Sequence, residues 1–309
     1  MNHARARIAL AAGLTVAVFV ATACAHTKVT GLAPVRPELF DHSGRVQPGA
    51  YGAGYSPDGT KLAVKSGDGI GVVTSGGKVG LLTPPGSHAV EYAWMPAGSA
   101  LLIAEGPAAT GQLDVLRLDG SDLGRVPLSP ALAIGSGYGM AVAPDGAQAV
   151  AVTEDLAALG GPERLSLVHI DLATGVTAPV GIRSVRGPAY VDASHVLVTE
   201  LSTKGDRAEV ITLATGARHV VSVAGEPADA LGVVRTGMVW LVYATDRAVW
   251  AVPAAGGARR RLARVPKDAT AVAVDPFGTQ AVLAERNGDV EQLRAISLCC
   301  LPSPGGSRG

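Results

Sequence analysis

Three sets of residues in this chain have types and spacings that chemistry could use. The first is Cys24, preceded by the small residues Ala21, Thr22 and Ala23, where a freed thiol could be acylated. The second is the serine in Gly135-Ser136-Gly137-Tyr138-Gly139, which would be a nucleophile if a sharp turn lifted its hydroxyl. A nucleophile elbow, however, has glycine two residues before the serine, and this chain has Ile134 there. The same glycines do not lead from a strand into a helix of a βαβ unit, so they do not read as a phosphate loop. The third set is acidic: Glu105, Glu200 and Glu285 each stand nine residues after a turn marker, and Glu154 and Asp155 occupy the corresponding stretch of a further unit. The seven histidines are scattered singly, and no metal spacing accompanies the adjacent Cys299 and Cys300, whose redox state the sequence leaves open. The expectation is therefore a non-enzymatic chain with no catalytic residue, no metal and no cofactor.

The elements that must position these residues begin after a targeting segment. Arg5 and Arg7 form a positive start, Ile8 to Val20 an apolar run too short to span a bilayer comfortably, and Ala21-Thr22-Ala23-Cys24 a small-residue end. The last four residues resemble the bacterial lipobox, which implies cleavage after Ala23 and lipidation of Cys24. Residues 1–23 are thus expected to be a signal peptide and 24–36 a lipidated tether, with residues 37–309 forming the folded domain. Pro34 and Pro37, with weak periodicity between them, fit a tether.

Near half of the chain, 48%, is apolar, enough for a large core and incompatible with disorder. Lys plus Arg and Asp plus Glu each number 26, so clustered positive charge of the kind phosphate backbones need is absent, and no nucleic-acid partner is expected. Arg259 to Arg261, beside Gly256 and Gly257, read as a solvated turn.

Organisation comes from a repeat. Ser56-Pro57-Asp58-Gly59-Thr60-Lys61-Leu62-Ala63-Val64 returns with Pro144, Asp145 and Gly146, and with Pro276 and Gly278; a looser copy surrounds Pro96. Proline presets φ, aspartate bonds the backbone ahead of it and glycine takes positive φ, so each copy is a strand–turn–strand corner with a structural rather than a catalytic aspartate. Two degenerate copies near Val191 and Arg235 complete six markers, near 57, 96, 144, 191, 235 and 276. Large and small residues alternate before each corner, except in the fourth unit at Gly187-Pro188-Ala189-Tyr190, and apolar runs follow it. Four short antiparallel strands repeated about every 45 residues predict an all-β, six-bladed β-propeller. The sixth unit lacks a fourth strand, so Pro37 to Val46 is expected to close the ring there. Tyr51, Tyr55, Tyr92, Trp94 and Tyr138 fall on three consecutive inner strands and are expected to pack blade against blade. The glycines around Ser136 would let the third inner strand approach the axis closely.

The Ser-Pro-Asp-Gly-Thr-Lys-Leu-Ala pattern, with the Ala-Thr-Gly turns at 173–175 and 214–216, resembles the repeats of TolB-type six-bladed propellers. With the lipobox, it is also similar to the C-terminal propeller of LpqB-like actinobacterial lipoproteins. The resemblance implies the fold; the anchor, the repeat fold and the missing catalytic set together lead to the expectation of a lipid-anchored, monomeric envelope protein on the extracytoplasmic face of the cell membrane, binding an envelope or membrane protein. Glu105, Glu154, Asp155, Glu200 and Glu285 are the candidate protein-binding rim. The alternative is a propeller hydrolase or sugar-binding enzyme with a divalent ion on the axis, for which the inner strands offer Glu91 and Asp229.

Overall fold

The computed structural model describes residues 39, 45–46, 50–66, 69–83, 87–105, 110–155, 164–223, 225–287, 290–299 and 301. The chain divides into two compact units, Met1–Leu32 and Ala33–Gly309, and every described residue belongs to the second. The targeting segment, Cys24, the tether, most of residues 37–46, the loop 156–163 and Cys300 lie outside the described residues.

Among the described residues, twenty-three strands make six antiparallel sheets, each a blade. Blade one holds β1 (Ala50–Tyr55), β2 (Leu62–Ser66), β3 (Gly69–Val73) and β4 (Val79–Leu81). Blade two holds β5 (Ala89–Trp94), β6 (Ala100–Glu105), β7 (Thr110–Arg117) and β8 (Asp122–Leu132). Blade three is β9 (Met140–Val142), β10 (Gln148–Glu154), β11 (Leu165–Asp171) and β12 (Thr177–Arg183). In blade four β13 (Val185–Tyr190), β14 (His195–Glu200), β15 (Arg207–Thr212) and β16 (Arg218–Val220) follow. Blade five contains β17 (Asp229–Thr236), β18 (Met238–Thr245), β19 (Ala248–Pro253) and β20 (Arg260–Arg264), and blade six β21 (Ala269–Val274), β22 (Gln280–Asn287) and β23 (Val290–Ser297). Strands pair in chain order within every blade, and the arrangement is a six-bladed propeller.

Apolar side chains fill the spaces between blades. Six clusters of buried residues each join one blade to the next, and the one between blades six and one includes Leu39 and Val46. Val46 donates its N–H to the Leu293 carbonyl at 3.0 Å, and Arg45 bridges antiparallel to Arg294, so residues 45 and 46 pair with β23 at the outer edge of the three-stranded blade six. Burying Leu39 and Val46 contributes about 1.5–3 kcal/mol each, and pairing protects what would be an open edge.

The aromatic residues of the inner strands lie at the same seams. Tyr92 Oη donates to the Ala63 carbonyl at 3.0 Å, Trp94 Nε1 to the Gly54 carbonyl at 2.8 Å, and Tyr55 Oη to Gln280 Oε1 at 2.8 Å, each bond crossing from one blade to its neighbour.

One feature was not legible from the alternation of residues. Five of the six inner strands shift register near their start, β9 being the exception: between Ala50 and Gly52, Ala89 and Glu91, Arg186 and Ala189, Ala230 and Gly232, and Ala271 and Ala273. A bulge leaves a residue unpaired and bends the strand. In blade four two residues, Gly187 and Pro188, are set out of register, and this is why the large–small alternation fails there.

Candidate functional site

Antiparallel pairing sorts the candidate residues between the two ends of the ring. The corners that join inner to second strands are at one end. There Ser56 Oγ donates to Asp58 Oδ1 at 2.6 Å, and the Asp58 carboxylate accepts the Thr60 N–H at 3.0 Å. Asp145 accepts the Ala147 N–H at 2.9 Å in the same way. Gly59, Gly146 and Gly278 take φ of 64°, 75° and 66°, where a side chain would be strained. Pro57 lies against Gly98, and Pro276 against Gly59, so corners of adjacent blades touch around the ring.

At the other end, inner strands begin and second strands finish. Glu105, Glu200 and Glu285 pair there with Ala89, Val185 and Ala269, the first residues of their inner strands. Glu154 ends β10 in the same place, with Asp155 next to it. Most of these carboxylates have arginine partners. Glu154 meets Arg164 at 2.9 Å; Glu285 meets Arg294 at 3.2 Å and Arg45 at 3.5 Å. Glu200 is gripped by Arg207 and by Arg218, the latter at 2.6 Å. Burial pushes the Glu105 carboxyl up, and nearby Asp114 adds to the shift against the pull of Arg125. The rim is thus a band of carboxylate–guanidinium pairs rather than a row of bare acids.

Inside the rim, three blades build a compact polar cluster. Lys65, at the end of β2 in blade one, donates from Nζ to the Val90 carbonyl of blade two at 2.7 Å, and lies 2.7 Å from Ser136 Oγ, in the segment leading into β9 of blade three. Blades one and three are not neighbours, so groups from both meet only on the channel side of blade two. Val90 is the bulged residue of β5, and the bulge turns its carbonyl toward the lysine. Lys65 is 9% exposed and Glu91 7% exposed. The Glu91 carboxylate accepts the N–H of Gly139 at 2.9 Å and of Tyr92 at 3.1 Å. Burial pushes the Glu91 carboxyl up, against the pull of these donors and of Lys65; burial also lowers the Lys65 ammonium, against the pull of Glu91.

A second cluster joins blades four and five at the same end. Arg186 of β13 reaches Asp229 of β17 at 2.5 Å and Asp206, in the loop before β15, at 3.1 Å. Both aspartates line a cavity of about 920 Å³ that Asp246, Arg247, Arg264 and Lys267 also edge. Asp229 and Glu91, the acids that an axial ion would use, are therefore engaged with an arginine and with main-chain N–H groups. Among the described residues no three histidine, cysteine, aspartate or glutamate side chains gather as cation ligands, and Cys299 is exposed.

Lys65 escaped the sequence reading. A signal was present: Lys65 stands eight residues after Pro57, where the same offset gives Ala104, Val152 and Ala284 after Pro96, Pro144 and Pro276. A lysine closing a buried apolar run needs a polar reason.

No protein-family profile and no curated protein matches the chain. Solved structures do. TolB from Acinetobacter baumannii superposes with a TM-score of 0.55 at 16% identity over 83% of this chain and 62% of that one. A TolB-like protein from Agrobacterium tumefaciens gives 0.54 at 14%, covering 71% of this chain and 80% of its own. The fold is that of a TolB-type propeller. A gluconolactonase from Xanthomonas campestris, at 17% identity and a TM-score of 0.57 over 84% of this chain and 88% of its own, has the same fold as well. At such identities the likeness is one of fold, and propellers carry many functions.

Proposed function

We propose that this chain is an exported propeller, held at the extracytoplasmic membrane face by a lipid on Cys24, whose loop-bearing end docks an envelope or membrane protein. The rim carries the reading: Glu105, Glu154, Asp155, Glu200 and Glu285 stand at one end of four blades, with Glu154, Glu200 and Glu285 held in place by arginines. Pinned charges present a fixed pattern and lose little side-chain entropy on binding, which favours specific recognition of a partner of mixed charge. The paired arginines make that partner's surface mixed rather than basic.

The test is charge reversal of Glu105, Glu154 and Glu200 to lysine, followed by capture from crosslinked envelope extracts. The triple variant is expected to lose at least ten-fold of the captured partner at an unchanged melting temperature. Full retention of every partner by the folded variant rejects this rim.

A further inference from the structure

We propose that Lys65 and Ser136 form a serine–lysine nucleophile at the channel mouth, able to attack the carbonyl carbon of a carboxylic ester. The inference goes beyond the docking reading and does not depend on it.

The backbone aims the serine. Gly135 donates its N–H to the Val152 carbonyl at 2.9 Å, and the Gly139 carbonyl accepts the Val152 N–H at 3.1 Å, so one residue of β10 closes both ends of the excursion 136–138. Ser136 is carried out of the strand and is exposed. The glycines are needed for this path: a Cβ on Gly135 would lie 2.5 Å from the Tyr138 ring, and Gly137 and Gly139 take φ of 77° and 103°. Glu91, by accepting the Gly139 N–H, fixes the end of the excursion and is a positioning residue.

The lysine is placed as the base. No carboxylate of the described residues lies within ion-pair distance of Lys65 Nζ, whose two partners are the oxygens of Val90 and Ser136. A neutral amine satisfies both contacts by donating to the carbonyl and accepting the serine proton. Burial favours that neutral form, and Glu91 is the charged group that opposes it. The Ser136 N–H, without a partner among the described residues, is free to donate to a developing oxyanion.

The step balances without a cofactor. Ser136 Oγ bonds the ester carbon as its proton passes to Lys65 Nζ and the carbonyl electrons move onto oxygen. Collapse breaks the bond to the leaving alkoxide, which takes the proton from Lys65. Water then adds to the acyl-serine, giving its proton to Lys65, and release of the carboxylic acid restores the Ser136 hydroxyl.

The experiment treats the full chain, purified in detergent, with a fluorophosphonate between pH 6 and pH 10, and locates the adduct by peptide mass spectrometry. Serine displaces fluoride from phosphorus in the same proton transfer. The expected result is one adduct, on Ser136, forming at a rate that rises with pH to a plateau whose midpoint lies below the ordinary lysine value. Ser136→Ala should abolish it, and Lys65→Met should slow it by about 100-fold or more. Absence of any adduct, an adduct retained in Ser136→Ala, or wild-type labelling of Lys65→Met overturns the proposal. Should Lys65→Met fail to fold, the wild-type profile decides: a rate that climbs with hydroxide and shows no plateau also overturns it.

Discussion

The Glu91 carboxyl stands between burial, which favours its neutral form, and the main-chain N–H groups of Tyr92 and Gly139 together with Lys65, which favour its charge; burial prevails and raises its pKa. A carboxyl whose folded pKa lies above its unfolded value supplies stability that is fully present below the unfolded value. That stability is lost as pH rises through the folded one. Between pH 4.5 and neutrality the wild-type melting temperature should therefore fall relative to that of Glu91→Gln. Parallel melting curves would contradict the assignment. At this scale the sequence showed residue types but not their meetings. Ser136 and Lys65 are 71 residues apart, and the motif test that set Ser136 aside asked only about its immediate neighbours. The corner aspartates were different, because Asp58 and Asp145 bond within two residues of themselves, a distance that sequence does reveal.

Strands and corners were legible because their signals are local: apolar runs bounded by Pro-Asp-Gly turns. The bulges were not, since a register shift depends on the partner strand as well as on the bulged one. The clearest long-range inference at this scale is ring closure, read from a missing strand at one end of the chain and a spare one at the other. It carries a prediction. Deleting residues 37–46 removes Leu39 and Val46 from the seam between blades six and one and opens the outer edge of β23. The loss of roughly 3–6 kcal/mol of burial should lower the melting temperature by about 10 °C. Differential scanning calorimetry showing an unchanged melt would mean that the segment lies on the ring without closing it.

As a whole, the molecule has two unlike ends. One is a ring of touching turns, repeated by the same residues in blade after blade, and repetition of that kind serves the ring itself. The other carries what the repeats do not share: the paired rim, the Lys65–Ser136–Glu91 cluster and the cavity beside Arg247 and Lys267. A fold common to TolB and to a gluconolactonase does not choose between docking and chemistry. The docking rim and the nucleophile we propose both fall at the same end. The most direct measurement is site-specific photo-crosslinking in native cells, with the photoreactive residue placed at Glu105 or Asp155 on the rim, or at Asp145 or Gly98 among the corners. The account predicts a discrete crosslinked partner from the rim positions and none from the corners. Crosslinks to that partner from the corners, with silence at the rim, would contradict it.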